Sequence, residues 1–256
     1  MNNKFVFSFL LQSKIYYWAI LMLCSCVALI NCKVNSTGSA KNAKSIRILM
    51  VGGGSAHNFD QWYKQVDAGT LRRDGFATVK YTSNTDSIAF YLPDVDVLYM
   101  VNNHPINSPE VRQAIFNFVN AGKGLVLGHA GMWYNYRDWP EYNVQIISGG
   151  ARGHDRYGSF EVTVNNPQHP VMKNVEPKFT LKDERYYYNA DPNGPGVEVL
   201  ASSSVAGSEK IFPSVFVVKH AKSRIVGLAL GHDGESHNIP NYQNLLRNAV
   251  QWAARK

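Results

Sequence analysis

The sequence has 256 residues, a formal net charge of +7 and 45% hydrophobic residues. Its basic residues form no cluster interleaved with base-stacking aromatic residues, which argues against a nucleic acid as partner. The three cysteines, Cys24, Cys26 and Cys32, all lie near the N-terminus. Disulfides and thiol chemistry are therefore excluded from the remaining chain.

The N-terminus predicts a secretory leader. Residues 15–31, IYYWAILMLCSCVALIN, carry no charge, and Lys4 and Lys14 precede them. Small residues before a cysteine are typical of a lipoprotein signal, which leaves Cys26 or Cys32 as the lipidated residue; soluble export and an uncleaved membrane anchor are the alternatives. We expect a leader over 1–32, a flexible tether over 33–44 and one domain over 45–256, in an exported, periplasmic or outer-membrane protein. The membrane would be contacted only through the leader or its lipid.

The first half of the domain predicts alternating strands and helices. A buried strand, SIRILMV, ends at three glycines and is followed by a helical pattern around residues 59–75. The segments ATVKYT, DVLYMV and GLVLG are the next strands. A helix begins after Ser108 and is stopped by Gly122. Strands buried on both faces that alternate with amphipathic helices predict a mostly parallel sheet covered by helices.

The second half contains several strand-like segments with little helix between them. SFEVTV, VEVLASS, PSVFVVKH and SRIVGLALGH predict an antiparallel extension that precedes the last parallel strand. NYQNLLRNAVQWAARK predicts the closing helix. The predicted fold class is therefore α/β, with a single domain over these residues.

Histidines follow three of the predicted strands. His57 comes after the first, His129 directly after GLVLG, and His232 after the last. Because ligands bind at the carboxyl ends of parallel strands, we expect the three to meet. Together with a carboxylate they predict either a divalent metal site or metal-free acid/base chemistry, and no H-E-x-x-H signature decides between these.

Two further segments indicate a binding site. In KDERYYYN, Asp183 and Glu184 precede three tyrosines, and burying such acids requires a partner, which a cation or a sugar would supply. An exposed edge strand is the alternative. The aromatic run after His129 favours a sugar, with core packing as the alternative; its members are Trp133, Tyr134, Tyr136, Trp139 and Tyr142. The sequence lacks dinucleotide, Walker and G-x-S-x-G motifs, so no nucleotide cofactor is expected.

Five segments in this order resemble the ThuA-like trehalose-utilisation family: VGGGSAHNF, GLVLGHAGMWY, the stretch 146–175, DERYYYN and GLALGHDGESHNIPNYQNLLRNAVQWA. The likeness covers about residues 46–254. It implies the class I glutamine amidotransferase-like fold, a flavodoxin-like three-layer sandwich. It also implies that His129 occupies the turn where amidotransferases carry a cysteine, so that glutaminase activity is absent, and that His232 corresponds to that cysteine's histidine partner. Arg185 departs from the family pattern, where an apolar residue is expected.

The resemblance implies use of disaccharides, glycosides or 3-keto sugars. We expect a hydrolase or lyase whose histidines either bind a divalent metal or act as acid/base groups; a non-catalytic sugar-binding lipoprotein and a surface-complex scaffold are the alternatives. The expected catalytic residues are His129, His232, Glu184 and His57. The expected substrate-binding residues are Trp133, Tyr134, Tyr186, His154 and Asp233. The expected metal ligands are His57, His129 and His232.

Overall fold

The computed structural model of the protein describes residues 45–133 and 138–255. The predicted leader and tether, and Tyr134 and Tyr136 of the predicted aromatic run, lie outside these described residues. Over the described ranges, none of the helices combines the length and the apolar character that crossing a membrane requires.

Nine strands form one central sheet, and two more form a small separate sheet. The central order is β2-β1-β3-β4-β11-β10-β9-β6-β7, and β5 pairs with β8. The strands in chain order are β1 Ile46–Val51, β2 Ala77–Thr82, β3 Val97–Met100, β4 Gly124–Gly128, β5 Gly149–His154, β6 Gly158–Val164, β7 Lys178–Asp183, β8 Tyr186–Ala190, β9 Val197–Ser204, β10 Phe212–Val218 and β11 Ile225–Leu228.

The sheet has a parallel part and an antiparallel part, as predicted. Strands β2, β1, β3, β4 and β11 pair in parallel, whereas β10, β9, β6 and β7 continue the sheet antiparallel from β11. Strand β11, the last parallel strand, pairs with β4 on one side and with β10 on the other, and so joins the two parts. The α/β fold class with an antiparallel extension is confirmed.

Helices cover both faces of the sheet. The α-helices are α1 Ala68–Arg72, α2 Ile88–Tyr91, α3 Pro109–Asn120, α4 Gly234–His237 and α5 Pro240–Ala253. A π-helix, Asp60–Asp67, leads directly into α1, and a second one spans Tyr142–Ile147. Single 3-10 turns occupy Arg73–Gly75, Thr85–Ser87, Leu92–Asp94, His129–Met132 and Pro170–Met172. The predicted start of α3 is confirmed, because the Ser108 hydroxyl accepts a hydrogen bond from the Val111 N–H at 3.2 Å.

Two hydrophobic clusters fill the space between sheet and helices. In β1, Ile48 belongs to the cluster that includes Leu71 of α1 and Leu245 of α5. Leu49, the next residue, belongs to the cluster that includes Ile115 of α3. Successive side chains of a strand point to opposite faces, so β1 is buried on both sides and the fold has three layers.

Strands β5 and β7 were not predicted, and the segment of β8 was predicted as an edge strand only as the alternative to a binding segment. In β7 the buried residues alternate with exposed ones, and the third buried residue is Asp183 rather than an apolar one. In β5 the sequence GGARGH has no apolar period at all. Periodicity cannot identify strands whose inward positions hold a carboxylate or glycine, because it depends on apolar residues.

The turn after β4 packs tightly against β3. His129 follows Gly128 directly and has a φ of +30°. A Cβ on Gly131 would lie only 2.4 Å from the carbonyl oxygen of Met100. Glycine at this position lets the turn lie against the backbone of β3.

We expect Gly131→Ala to lower the free energy of unfolding by about 1–3 kcal/mol, because the added methyl group meets backbone that cannot rotate away. Gly69→Ala is the matched control. A Cβ there meets nothing within 4 Å, and alanine in a helix is favoured by about 0.5–1 kcal/mol. Chemical denaturation of the full-length variants measures both values. Equal midpoints for Gly131→Ala and wild type would contradict the packing described.

Candidate functional site

Three strand ends bring His57, His129 and His232 together, as predicted. The ring centroids of His57 lie 4.9 Å from His129 and 4.8 Å from His232, and those of His129 and His232 are 5.6 Å apart. One nitrogen from each ring lies within 4.8 Å of the other two. The sequence predicted this meeting because all three follow strands of the parallel part.

Each of these imidazoles has a buried nitrogen that makes no well-aligned hydrogen bond to a described residue: His57 Nδ1, His129 Nε2 and His232 Nδ1, of which the last has only the ion-pair contact with Glu184. The opposite nitrogen of His129, Nδ1, lies 2.8 Å from the carbonyl oxygen of Ala229. A carbonyl only accepts, so Nδ1 carries a proton, and Nε2 is the nitrogen that would offer a lone pair to a metal or, when protonated, donate to Glu184. Buried polar atoms without partners are rare in proteins and point to a bound ion, water or ligand.

Glu184 is the carboxylate of the cluster. Its Oε2 lies 3.2 Å from His232 Nδ1 and 3.6 Å from His129 Nε2. Its Oε1 lies 3.7 Å from His154 Nδ1. Burial by itself would raise the pKa of Glu184, but the interactions with His129 and His232 outweigh it and hold the pKa well below its usual range. The same contact raises the pKa of His232.

His57 has the opposite shift. Burial, together with the neighbouring His129 and His232, lowers the pKa of His57 to about 3. Its imidazole is therefore neutral around pH 7 and can donate a lone pair. The loop that carries it is held by Asn103, whose side chain accepts a hydrogen bond from the Ser55 N–H at 2.9 Å and donates one to the Ser55 carbonyl at 2.7 Å. Sequence analysis did not identify Asn103.

Asp183 positions two members of the cluster. It is fully buried, and its carboxylate accepts hydrogen bonds from the backbone N–H of Glu184 at 2.7 Å, Gly231 at 2.8 Å and His232 at 3.2 Å, and from the Ser236 hydroxyl. The partner that this buried acid requires is therefore the backbone of the protein, and neither a cation nor a sugar. Asp183 therefore positions Glu184 and His232. This role could not be inferred from the sequence, where Asp183 is only one of two adjacent acids.

A second buried pair lies behind His232. His237 Nδ1 is 2.6 Å from Asp67 Oδ1, and its Nε2 is 3.0 Å from the carbonyl oxygen of Gly231. Both nitrogens face acceptors, so both carry protons. Burial would lower the pKa of His237, but the charge and hydrogen bond of Asp67 outweigh it and raise the pKa. Asp67 also accepts hydrogen bonds from two buried tyrosine hydroxyls, those of Tyr99 and Tyr242.

A cavity of about 220 Å³ reaches the cluster at His57 and Glu184, whereas His129 and His232 are not among its described lining residues. Its lining residues are Ala56, His57, Asn103, Ala130, Trp133, His154, Glu184 and Tyr186. Five of the expected catalytic and substrate-binding residues therefore line the cavity, namely His57, Trp133, His154, Glu184 and Tyr186. Tyr186 also stacks on His129, with ring centroids 4.1 Å apart. Of the predicted aromatic run, Trp139 and Tyr142 instead belong to the core, where they are 3% and 0% exposed.

Asp233 is placed differently from the prediction. It is absent from the residues that line the described part of this cavity. Its side chain accepts a hydrogen bond from the Glu235 N–H at 2.9 Å, which caps α4, and another from the Tyr157 hydroxyl at 2.7 Å. Direct contact of Asp233 with a substrate stays a prediction.

The donor set fits a divalent metal. Nitrogens bound tetrahedrally to one zinc ion lie about 2.0–2.1 Å from it, and hence about 3.4 Å from one another. The nitrogens of this cluster lie within 4.8 Å of one another, so side-chain rotations would bring them closer when an ion binds. Three imidazoles and one carboxylate are ligands that zinc and similar ions accept.

Comparison with known proteins identifies the family. The chain matches the ThuA family, described as "Trehalose utilisation", over residues 47–253. The protein belongs to the ThuA family. A search of curated proteins found no match.

Solved structures show the same fold as this ThuA-family chain. A ThuA-like protein from Parabacteroides merdae is 23% identical, with a TM-score of 0.70, and the match covers 82% of this chain and 90% of that one. A ThuA-like protein from Bacteroides uniformis is 24% identical, with a TM-score of 0.67 and coverage of 84% and 94%. The glutaminase domain of Trypanosoma brucei CTPS is 12% identical, with a TM-score of 0.52 and coverage of 82% and 94%. The predicted glutamine amidotransferase-like fold is thereby confirmed.

We expect acid to destabilise the protein through His57. The unfolded chain protonates this residue near pH 6.5, whereas the folded protein does so only near pH 3, so the unfolded state binds more protons between these values. The free energy of unfolding should fall as the pH falls from 7.5 to 4.5. His57→Gln should reduce this fall by roughly 1–2 kcal/mol, after allowance for partial exposure.

Denaturant titrations in the presence of a chelator measure this difference, because only protons then compete for the imidazole. His104→Gln, which replaces an exposed histidine, is the control and should keep the wild-type slope. An unchanged slope in His57→Gln would contradict the buried, neutral state of His57.

Proposed function

We propose that this ThuA-family protein is an enzyme of carbohydrate utilisation that acts on a glycoside or a 3-keto sugar, as a hydrolase or lyase. The observation that carries the proposal is the set of three buried imidazole nitrogens that make no well-aligned hydrogen bond to the described residues, beside Glu184, which together with His57 lines the cavity. A protein that only binds a neutral sugar has no need for such a set. Perturbed titratable groups in a cavity are typical of catalytic sites.

The cavity supports a sugar as substrate. Trp133 and Tyr186 both line it, and their rings are 5.2 Å apart at an angle of 67°. Aromatic rings offer an apolar face to the C–H groups of a sugar. The volume of about 220 Å³ is below the roughly 300–1,000 Å³ of sites for drug-sized ligands. The cavity therefore accommodates one sugar ring, and the second ring of a disaccharide would extend toward solvent.

In the proposed site, His57, His129 and His232 hold a divalent metal. A metal bound there would polarise a carbonyl oxygen or lower the pKa of a water molecule. His57 suits this role because it is neutral around pH 7, and His129 because the carbonyl of Ala229 orients its Nε2 lone pair. Metal-ligating histidines in general are oriented by such a hydrogen bond from the ring nitrogen that does not bind the metal.

Glu184 is the proposed proton acceptor. It lines the cavity, and the neighbouring imidazoles keep it ionised, which a base requires. In hydrolysis it would take a proton from the water that attacks the anomeric carbon and return it to the glycosidic oxygen as that C–O bond breaks. In elimination from a 3-keto sugar it would take the proton from the carbon between the carbonyl and the anomeric carbon; a C=C bond would form as the glycosidic C–O bond breaks, and the Glu184 carboxyl would return the proton to the departing oxygen.

The proposed location is outside the cytoplasm, where the leader over residues 1–32 would direct the protein. Lipidation at Cys26 or Cys32 would anchor it, and residues 33–44 would hold the domain away from the membrane. Mass spectrometry of the N-terminal peptide from native membranes would identify which cysteine is modified.

We expect the full-length protein to bind close to one divalent ion per chain, and His129→Ala to lose it. Equilibrium dialysis against Zn²⁺ or Mn²⁺, followed by elemental analysis, measures the ratio. His220→Ala is the matched control, because His220 precedes β11 and therefore lies at the opposite end of that strand from His232. Equal metal content in His129→Ala and wild type would exclude the proposed ligand set and leave metal-free acid/base chemistry.

We expect Glu184→Gln to reduce turnover by about 10²–10⁴-fold, the usual contribution of a general base, with sugar binding within a few-fold of wild type. Release of products from trehalose, related disaccharides and their 3-keto derivatives would be followed by chromatography, and binding by calorimetry. His220→Ala should keep full turnover. Full turnover in Glu184→Gln would contradict its role. Sugar binding without turnover of any of these compounds by wild type would favour a non-catalytic sugar-binding lipoprotein.

A further inference from the structure

A second cavity has a volume of about 260 Å³. Two of its lining residues directly follow, in the sequence, residues that line the first cavity. His154 and Glu184 line the first cavity, whereas the residues that follow them, Asp155 and Arg185, line the second. The N–H of Asp155 donates to the carbonyl of Arg185 at 3.1 Å, which joins the two segments. Adjacent residues of these two segments therefore serve two separate cavities.

Arg185, where the family resemblance implies an apolar residue, has a defined position in the structure. It is only 3% exposed. Its Nε donates to Asp155 Oδ2 at 2.6 Å, its Nη1 donates to the carbonyl of Lys210 at 2.8 Å, and the guanidinium lies over the ring of Phe212. These contacts fix the guanidinium plane. Its Nη2 donates to none of the described residues, and Arg185 lines the cavity.

The rest of the lining favours a negatively charged ligand. Arg156 is exposed and forms no ion pair with any described residue. Ser208 accepts a hydrogen bond from the Lys210 N–H at 3.2 Å, which leaves its own proton available to a ligand. Ser159 contributes a second hydroxyl to the lining. The cavity thus presents two guanidinium groups and two hydroxyl donors.

One carboxylate, that of Asp155, faces the same cavity, but its oxygens are already engaged. Oδ2 accepts from Arg185, and Oδ1 accepts from the Tyr187 hydroxyl. Asp155 neutralises one of the two guanidinium charges, so the charged lining residues sum to one positive charge. A fixed guanidinium with a free N–H group is suited to carboxylate and phosphate oxygens.

We propose that this cavity binds an oxyanion, either the carboxylate of an acidic sugar or a phosphate group, between Arg185 and Arg156. The site is independent of the histidine cluster and of the chemistry proposed for it. In this proposal Arg185 supplies the fixed hydrogen-bond donor, and the exposed Arg156 supplies a second positive charge. The two serine hydroxyls complete the donor set.

The test is calorimetric titration of the purified full-length protein with inorganic phosphate, glucuronate and, as a neutral reference, glucose. Arg156→Gln should weaken anion binding by about tenfold, the usual cost of a lost charged hydrogen bond. Arg185→Lys keeps the charge and the Asp155 partner but removes the planar fork, and should also weaken binding. Arg73→Gln removes the same charge next to β2, at the other edge of the central sheet, and should bind as wild type does. His129→Ala should keep anion affinity.

Binding of glucuronate alone would identify a carboxylate ligand, and binding of phosphate alone would identify a phosphate ligand; both results support the site. Absence of binding by either anion would overturn it. Equal affinity in wild type, Arg156→Gln and Arg185→Lys would do the same, as would an equal loss in Arg73→Gln, since the effect would then reflect overall charge. Loss of the anion in His129→Ala would place it at the histidine cluster instead, and equal affinity for glucose would show that charge is not recognised.

Discussion

The candidate site depends on one buried carboxylate. Asp183 ends β7, at the edge of the central sheet, and accepts hydrogen bonds from the backbone of Glu184, Gly231 and His232. A buried charge is costly unless it is paired or hydrogen-bonded, so this cost is avoided only when the β7 end and the loop after β11 occupy their observed positions. The same interaction that stabilises the antiparallel extension thus sets Glu184 beside His232.

The Gly231–His232 segment is held from its other side as well. The carbonyl of Gly231 accepts hydrogen bonds from His237, which is paired with Asp67, and from the Tyr63 hydroxyl. Two buried acids of different elements therefore fix one short loop. In such a cluster, positions must hold to a fraction of an ångström for metal or proton chemistry. The neutral His57 and the ionised Glu184 follow from the same packing, because burial and close imidazoles shift their pKa values.

Much of this arrangement is encoded locally. The apolar runs that end in glycine predict β1 and β4, the Ser108-Pro109 pair predicts the start of α3, and the order of elements predicts a parallel sheet. From that topology alone, His57, His129 and His232 are expected at one edge, since the carboxyl ends of parallel strands meet there. The separate functions of Asp183 and Glu184 are not encoded in this way, because adjacent acids look alike in a sequence.

The sequence by itself thus determined the α/β class, the family and the three histidines, since these rest on local periodicity and on motifs with short spacing. Tertiary structure alone decided which neighbours became buried: Asp183 against backbone donors, His237 against Asp67, and Trp139 in the core rather than in the cavity. It also decided that Arg185 faces a second cavity. Burial and hydrogen-bond partners come from residues distant in the chain, and no local pattern specifies them.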